Sequence, residues 1–582
     1  MPEKGAISVS SPVVFRPNSW FPIRFPILTA AAFLGMLFIW SIDASTIKYS
    51  FKAWRNRRDY LALKLQSSVN LTDYTFHSPV NVTKNQQKSL NRAPRMPTLG
   101  WISVKLEPNF TSNLLSRWLA PGGEPCRDSM TEDIRIPGLD DRNPVTLSAG
   151  DIHRFVIQAV DGRGNPRCLG GDYFETDLSG ELWKSRPPLK DLGNGSYSMS
   201  LQVHPNFSGE YNLTVVLLFR HFEGLKFSPE RFAYQRELRR IPIRFFRSNV
   251  KLPELKICEK SDFARDIWSG RWTRLAKNED CEISDDGRYR CLKPDFPCQK
   301  PWCEGSLGSL ESNGWVYSSH CSFRIFSADL AWECLQKRWI FFWGDSNHVD
   351  TIRNLLNFIL DLPEIKTIPR RFDNNFTNPR NTSQTVRITS IFNGHWNETQ
   401  NYEGLDSLRD EGFRNLVKQY FISEERVPDT VIFNSGLHDG VHFKNIRQFS
   451  VGAEQAAIFW KEVLEGVSRR GKRLPEVLYR STIATGGYAR RLMFNPNKME
   501  AFNGVLLEKM KRVGIVSGVI DDFDMTYAWH YDNRCNDGVH YGKAPLKAKW
   551  RDGEVGHHYF VDLMLGHVIL NTLCAPSQHS IT

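Results

Sequence analysis

A serine with the surroundings of a nucleophile lies in the tripeptide Gly344-Asp345-Ser346. It follows an apolar run, Arg338–Trp343, that predicts a buried strand, and a helical pattern, Val349–Leu360, begins just after it. A serine at a strand-to-helix turn is close to the free N–H groups and partial positive charge of a helix N-terminus, which would stabilise an oxyanion. Gly344 permits a tight turn, and Asp345 can cap it. The alternative for Ser346 is an ordinary helix N-cap.

An acid–base pair of matching chemistry lies far along the chain, in Asp537-Gly538-Val539-His540. An aspartate and a histidine three residues apart on a loop can present the imidazole outward while the carboxylate holds its Nδ1–H. The pair follows the last predicted strand, and open parallel sheets gather ligands at the carboxyl ends of their strands. Ser346, His540 and Asp537 are therefore the candidate nucleophile, general base and orienting group. Taken alone, an aspartate and a histidine in a loop are more often surface residues.

The elements that must position these residues alternate between strands and helices. Predicted strands cover Arg338–Trp343, Val386–Phe392, Thr430–Phe433, Val477–Ile483 and Gly514–Ile520. Predicted helices cover Val349–Leu360, Ala453–Arg469, Met499–Arg512 and His557–Leu573. This order predicts an α/β domain at residues 336–582, with a parallel sheet covered on both faces.

Residues 98–246 have a different pattern. Short alternating runs such as Phe155–Val160 and Tyr197–Val203 are separated by turn residues about every ten positions, which predicts an all-β sandwich. The order of its Gly- and Asp-containing phrases, from Ala149-Gly150-Asp151 to Gly209-Glu210-Tyr211, resembles a filamin-type immunoglobulin-like repeat. Such a domain can be a binding module or a spacer.

Residues 247–335 predict a cysteine-rich connector. They contain seven of the 11 cysteines: Cys258, Cys281, Cys291, Cys298, Cys303, Cys321 and Cys334. Zinc binding would be considered in a cytosolic protein, but no Cys-x₂-Cys pair is present, and disulfides are the better prediction for an oxidising compartment. The spacing does not determine the pairing. Because 11 is odd, one thiol is predicted to be free or to pair between chains.

The N-terminal region predicts a membrane anchor. Phe25–Ile42 is an uncharged run of 18 residues, about the minimum for a spanning helix, between a short tail at 1–24 and a polar stem at 43–97. All 11 cysteines follow this run, and so do nine Asn-x-Ser/Thr sequons. The sequons are at Asn70, Asn81, Asn109, Asn194, Asn206, Asn212, Asn375, Asn381 and Asn397.

Both patterns predict a single-pass type II protein of the Golgi or secretory pathway with its large portion in the lumen. The lysine and arginine residues flanking the run weakly favour the reverse orientation.

Composition narrows the function classes. A chain of 582 residues with 41% hydrophobic and 24% charged residues is typical of several globular domains, and excludes overall disorder, collagen, a coiled coil and a polytopic membrane protein. The net charge of +11 permits anionic glycans or lipid headgroups as partners. No nucleic-acid-binding motif accompanies it, so nucleic acid is not an expected partner.

Gly-Asp-Ser early and Asp-x-x-His late in an α/β domain resemble the SGNH hydrolases, and more narrowly the PC-esterase branch, which includes eukaryotic glycan O-acetyltransferases. With the anchor, the immunoglobulin-like domain and the cysteine-rich connector, residues 98–575 resemble the neurexophilin and PC-esterase domain family. The resemblance implies a three-layer, flavodoxin-like catalytic domain. It also implies that Ser346 is the nucleophile, His540 the base and Asp537 its orienter.

The resemblance further implies two oxyanion donors beyond the serine. SGNH enzymes use a glycine after the second strand, where this chain has Gly394, and an asparagine after the third strand. There this chain reads Asn434-Ser435-Gly436-Leu437-His438, with His438 in place of the expected asparagine. The oxyanion candidates are therefore Gly394, Asn434 and His438.

These features predict a lumenal O-acetyltransferase that moves an acetyl group to a glycan hydroxyl, on sialic acid or a polysaccharide, through an acyl-serine intermediate. The family implies acetyl-CoA or a derived donor as co-substrate; no bound cofactor and no metal are predicted. The alternatives are a carbohydrate acetylesterase of the same fold and a catalytically silent adhesion or ligand protein that uses the immunoglobulin-like domain. The sequence leaves the glycan and the oligomeric state open.

Overall fold

The structure is a computed structural model that describes residues 100–119, 129–141, 144–249, 251–281, 290–363, 365, 368–394, 403–532, 536–542 and 560–575. They belong to one compact unit, Pro94–Thr582. Among these residues no helix has the length and apolar character needed to cross a bilayer. The predicted anchor at Phe25–Ile42 lies outside them.

The first part of this unit contains a helix and nine strands in two facing sheets. Their bounds are α1 Phe110–Leu119, β1 Asp133–Arg135, β2 Val145–Ser148, β3 His153–Val160, β4 Tyr173–Gly180, β5 Trp183–Ser185, β6 Leu189–Asp191, β7 Ser196–Leu201, β8 Gly209–Phe219 and β9 Arg236–Phe246. Every second residue of β7 is buried, as the alternating sequence predicts. Phe174 of β4 meets Tyr197 of β7 edge-on at 4.9 Å between ring centroids, so aromatic side chains fill the space between the sheets.

The cysteine-rich segment continues one of these sheets. Its elements are β10 Arg271–Arg274, β11 Cys303–Glu304, β12 Trp315–Ser318, β13 Phe323–Arg324 and α2 Ala328–Leu335. Strands β10 and β12 join a seven-stranded sheet in the order β12-β10-β5-β4-β8-β9-β2, and the smaller sheet has the order β1-β3-β7-β6. The sheet thus runs across the predicted boundary at residue 247.

Disulfides join this segment internally and to the end of the described chain. The pairs are Cys258–Cys321, Cys281–Cys291, Cys298–Cys303 and Cys334–Cys574. The first three close short or moderate loops within the segment. The last connects α2 to the final helix across 240 residues, which restricts the unfolded chain most.

The remaining part is an α/β sheet with helices. Its strands are β14 Arg338–Gly344, β15 Arg371–Asn378, β16 Asn381–Phe392, β17 Thr430–Phe433, β18 Glu476–Arg480 and β19 Gly518–Ile520. Its helices are α3 Ser346–Asn354, α4 Glu411–Ile422, α5 Leu437–His442, α6 Ile446–Arg469, α7 Pro496–Arg512, α8 Asp522–Tyr527 and α9 Phe560–Cys574. The sheet order is β15-β16-β14-β17-β18-β19, with β15 antiparallel at the edge and the others parallel.

Numbered along the chain, the five parallel strands have the order 2-1-3-4-5, which is the order of flavodoxin-like doubly wound sheets. In such sheets the switch point, where ligands bind, lies at the carboxyl end of the first strand, here β14. The predicted strands overlap all five parallel strands. The edge strand β15, which pairs antiparallel with β16, has no counterpart among the predicted strands, because its residues are largely exposed and carry no strong alternation.

Candidate functional site

Ser346, His540 and Asp537 form a hydrogen-bonded chain at the carboxyl end of β14. Ser346 Oγ lies 2.7 Å from His540 Nε2, and His540 Nδ1 lies 3.1 Å from Asp537 Oδ2. His540 is buried apart from about 7% of its surface, whereas Ser346 is half-buried and so reachable from outside. With Nδ1–H donated to the carboxylate, Nε2 is left to accept the serine proton. The arrangement therefore has the geometry of an activated serine nucleophile.

The position of Ser346 follows from the strand and the helix on either side of it. Strand β14 is a run of apolar and aromatic residues that is buried between its neighbours β16 and β17. Asp345 caps the helix α3 through a 2.9 Å hydrogen bond from the Asn347 N–H, so the helix begins at Ser346, three residues before the predicted start. Ser346 thus occupies the first turn of α3, whose N–H groups have no partner within the helix.

Gly344 is required at this turn by a close contact. A Cβ atom at Gly344 would lie 2.3 Å from Nδ1 of His348, which is fully buried on α3 against Phe342. Because this separation is too short, the ring or the first turn of the helix would have to move.

We expect Gly344→Ala to slow the reaction of Ser346 with an organophosphorus serine probe by roughly 10- to 100-fold, because a displacement of about 1 Å has an effect of that size. The overpacking should also cost about 1–3 kcal/mol in the free energy of unfolding. Labelling rate and urea unfolding measure the two effects. Gly100→Ala is the control, since no atom lies within 4 Å of its Cβ position; equal effects of both substitutions would contradict the prediction.

The loop of Asp537 and His540 is a tight turn around Gly538. Gly538 has φ of +99°, a conformation that favours glycine. Its N–H donates to Asn536 Oδ1 at 2.9 Å, and its carbonyl accepts from the Gly486 N–H at 2.8 Å. Asp537 Oδ1 accepts the His540 N–H at 2.8 Å, so the carboxylate binds both the backbone and the ring of the same histidine. The conformation of the turn therefore holds the His540 ring within hydrogen-bond distance of the Asp537 carboxylate.

The three oxyanion candidates differ in their surroundings. Gly394 is two residues beyond Phe392, which pairs with Gly344, and the Asn393 N–H donates to the Gly344 carbonyl at 2.9 Å. Gly394 therefore lies just beyond the carboxyl end of β16, which is paired with the carboxyl end of β14. Asn434 is buried, and its amide donates to the Arg480 carbonyl and to Thr482 Oγ1, both at 3.1 Å. Both amide hydrogens are used there, so Asn434 would have to break one of these hydrogen bonds to donate to an oxyanion.

His438 lies in the first turn of α5 and packs against Phe392 at 4.9 Å between ring centroids. Its environment includes Asp345, Arg370 and His540. Burial, together with the positive charge of Arg370 and the neighbouring His540, lowers the pKa of His438 against the opposing effect of Asp345. A neutral imidazole can donate one N–H to a developing oxyanion, which keeps His438 as a candidate.

A network of buried polar side chains holds α3 in place. It was not predicted from the sequence. Arg480, at the end of β18, binds Asp522 Oδ2 through Nε and Nη2 at 2.9 and 2.8 Å, and reaches Thr351 on α3 through Nη1 at 3.2 Å. The Thr351 hydroxyl donates to Asp562 Oδ1 at 2.7 Å, and Asn354 donates to Asp562 Oδ2 at 2.6 Å. These contacts connect the helix that carries Ser346 to both α8 and α9. The pairing has no local sequence signal, because its members are far apart in the chain.

Asp562 gives this network a pH dependence. Burial raises its pKa to about 6, although Arg480 and the two hydrogen-bond donors oppose the shift. Since the folded state then binds the proton more tightly than the unfolded chain, the contribution of Asp562 to stability is fully present below about pH 4 and is lost as pH rises through about 6. We expect the wild-type free energy of unfolding, relative to Asp562→Asn, to rise by about 1 kcal/mol from pH 7 to pH 5. Urea unfolding at both pH values measures it; parallel curves would refute it.

One group of potential metal ligands was found among the described residues. Oxygen, nitrogen and sulfur atoms of Asp262, His320 and Cys321 lie within 4.8 Å of one another. Cys321 is bonded to Cys258, so it has no thiolate to offer.

No family model matches the chain, and no curated protein matches its sequence. Among solved structures, the acetylxylan esterase Axe2 from Geobacillus stearothermophilus is similar over 41% of this chain and 94% of its own, at 10% identity and a TM-score of 0.24. The Lin-41 filamin domain is similar over 20% of this chain and 96% of its own, at 12% identity and a TM-score of 0.14.

Domains 4 and 5 of the S-layer protein SbsC are similar over 20% of this chain, at 15% identity and a TM-score of 0.14, and the chain spans 54% of their length. All three likenesses are weak. At these TM-scores they carry no argument about function.

Proposed function

We propose that this protein is a lumenal O-acetyltransferase that transfers an acetyl group to a glycan hydroxyl through an acyl-serine intermediate. The observation that carries the proposal is the Ser346–His540–Asp537 chain, with contacts of 2.7 and 3.1 Å at the carboxyl end of a parallel sheet. Ser346 acts as nucleophile, His540 as general base and acid, and Asp537 as the group that orients it.

In the first half-reaction, Ser346 Oγ attacks the carbonyl carbon of an acetyl thioester while His540 Nε2 takes its proton. The oxyanion that forms is stabilised by N–H groups at the start of α3, by Gly394 and by His438. The thioester C–S bond then breaks, and the thiol leaves with the proton from His540. The product is the acetyl ester of Ser346.

In the second half-reaction, His540 takes the proton of a sugar hydroxyl, whose oxygen attacks the acetyl carbon. The bond from that carbon to Ser346 Oγ breaks, and the serine recovers its proton from His540. Water in place of the sugar hydroxyl would make the same site an acetylesterase. The same three side chains serve both outcomes, so the acceptor decides the reaction.

Two features of the chain are compatible with the proposed compartment. Four disulfides are formed among the described residues, which suits an oxidising lumen. The six sequon asparagines that the structure describes are all exposed, as glycosylation requires: Asn109, Asn194, Asn206, Asn212, Asn375 and Asn381. Together with the predicted span at residues 25–42, this supports a type II protein of the Golgi or secretory pathway that meets glycoprotein acceptors.

The test uses the purified full-length chain in detergent, as wild type and as Ser346→Ala. Each is incubated with isotope-labelled acetyl-CoA and a panel of sialylated and neutral glycans, and the mass of each glycan is followed. A parallel reaction contains acetylated glycans without donor. Circular dichroism establishes that both proteins are folded.

A gain of labelled acetyl that requires Ser346 would support the transferase and identify its acceptor. Loss of acetyl from acetylated glycans, again requiring Ser346 and without any gain, would replace the transferase by the esterase. If folded wild type produces neither change, a binding role for the β-sandwich becomes the leading function.

A further inference from the structure

A buried glutamate of the β-sandwich lies against the segments that hold the Asp537–His540 turn. Glu175 is on β4 and is fully buried. Its carboxylate accepts hydrogen bonds from both the Nε and the Nη2 of Arg490, with 2.9 Å for the first. It also contacts His530 Nε2 at 3.1 Å and accepts from the Tyr531 hydroxyl at 3.2 Å.

The Glu175 carboxylate is ionised although it is buried, and its main partner is the Arg490 guanidinium. Burial alone would raise the pKa of Glu175, but Arg490 and His530 outweigh it and lower the pKa to about 2. The carboxylate is therefore ionised throughout the neutral range, and the Arg490 guanidinium meets it in a two-pronged geometry. The guanidinium also covers the Tyr531 ring at 4.5 Å from its centroid.

The partners of Glu175 lie on two segments of the chain, and each segment holds one backbone group of Gly538 through hydrogen bonds. Arg490 belongs to the short 3₁₀ helix Gly487–Arg491, which begins beside Gly486, the donor to the Gly538 carbonyl. His530 lies in the turn after α8, where the Trp529 and Asp532 carbonyls accept from the Asn536 amide at 3.1 and 2.9 Å.

Asn536 in turn accepts the Gly538 N–H, so both backbone groups of Gly538 are held by segments that Glu175 joins together. The Gly487 N–H donates to the His530 carbonyl at 3.1 Å, which connects the two segments directly.

We propose that Glu175 is a positioning residue for Asp537 and His540, so that the β-sandwich is a working part of the catalytic site. This inference rests on the proposed function for its catalytic consequence. Glu175 acts by holding Arg490 and His530, whose segments hold the turn of Gly538.

The test compares Glu175→Gln with Glu500→Gln in the full-length chain. Glu500 is the matched control, because it also joins the sandwich to the α/β part, through Arg186 at 2.7 Å and Tyr173 at 3.2 Å. Within the part of the chain that the structure describes, neither of these hydrogen bonds involves the two segments that hold Gly538. Three quantities are measured: the labelling rate of Ser346 by a fluorophosphonate, kcat and KM for hydrolysis of 4-nitrophenyl acetate, and hydrogen exchange of peptides covering residues 529–541.

We expect Glu175→Gln to lower the labelling rate and kcat by about 10- to 100-fold, with KM changed less than about twofold, and to speed exchange in 529–541. Glu500→Gln should leave all three near wild type. Wild-type labelling, kcat and exchange in a folded Glu175→Gln protein would overturn the inference, even if its melting temperature falls.

Two further outcomes have to be distinguished: an unreactive wild-type protein and a Glu175→Gln variant that does not fold. If wild type is itself unreactive, the proposed function fails, and exchange in 529–541 alone decides whether Glu175 positions the loop. If Glu175→Gln does not fold, Tyr531→Phe, which removes one of the four hydrogen bonds to the carboxylate, decides in its place. It should slow labelling about two- to fivefold at unchanged KM, because the carboxylate loses one hydrogen bond and keeps those from Arg490 and His530; an unchanged rate would overturn the inference.

Discussion

Replacing His540 by alanine should lower kcat for acetyl transfer by roughly 10⁴- to 10⁶-fold, the size of effect found when the base of a serine triad is removed. His540 Nε2 is 2.7 Å from Ser346 Oγ and is the proton acceptor of the proposed mechanism. Without it, the hydroxyl would have to attack in its un-ionised form, and the leaving thiol would have no proton donor. The measurement is the single-turnover rate of acetyl-serine formation from labelled donor.

His153→Ala is the control for the loss of a histidine elsewhere in the fold. His153 lies on β3 of the sandwich, where Nε2 contacts the Ser148 carbonyl at 2.8 Å, and its replacement should leave the rate within about twofold, as expected for a site far from the chemistry. Asp537→Asn should retain more activity than His540→Ala, with a loss of about 10⁴-fold or less, because the ring remains and only its orientation and charge support are lost. Full activity of folded His540→Ala would eliminate the serine mechanism.

Replacing Arg480 by methionine should lower the free energy of unfolding by about 3–5 kcal/mol, the usual cost of breaking a buried ion pair from one side. Arg480 and Asp522 are each about 1% exposed, so solvent cannot compensate for the lost cation. Burial already raises the pKa of Asp522 while Arg480 lowers it, and removal of Arg480 leaves only the unfavourable effect. Thr351 would lose its contact with the guanidinium at the same time.

Urea unfolding at pH 7 measures this cost, and two variants test its cause. Arg240→Met removes a cation from an exposed ion pair with Glu237 and should change stability by less than about 0.5 kcal/mol. The double variant Arg480→Met with Asp522→Leu removes both buried charges and should recover at least half of the loss. A double variant as unstable as Arg480→Met would show that packing around Arg480, rather than its charge, is what matters.

Local patterns in the sequence were enough to locate the residues of the candidate nucleophile and base. Gly344, Asp345 and Ser346 follow an apolar strand directly, so the strand, the turn and the helix start are all encoded within a few residues. Asp537 and His540 are similarly close, and their turn needs only a glycine between them. Each half of the site is therefore a local feature, and the parallel sheet brings the halves together.

Features that depend on distant contacts could not be predicted in the same way. Glu175 and Arg490 are 315 residues apart, and on β4 a glutamate is indistinguishable by pattern from a solvent-facing residue. The sequence likewise left Asn434 open as an oxyanion donor, because its hydrogen bonds to Arg480 and Thr482 depend on how β18 follows β17 in the sheet. The pairing of Cys334 with Cys574 had no local signal either.

The shared seven-stranded sheet limits how this protein can be divided. Strand β10 pairs with β5 of the sandwich on one side and with β12 on the other, while its Trp272 indole donates to the Met525 carbonyl in α8 at 2.8 Å. A fragment cut at residue 247 would leave the β5 edge unpaired in one piece and the β10 edge in the other, and open strand edges promote aggregation. A chimera that exchanges only the sandwich with that of a related protein would have to match β10 and Arg490 as well. The sandwich, the cysteine-rich segment and the α/β part are therefore expected to be inherited or transplanted together.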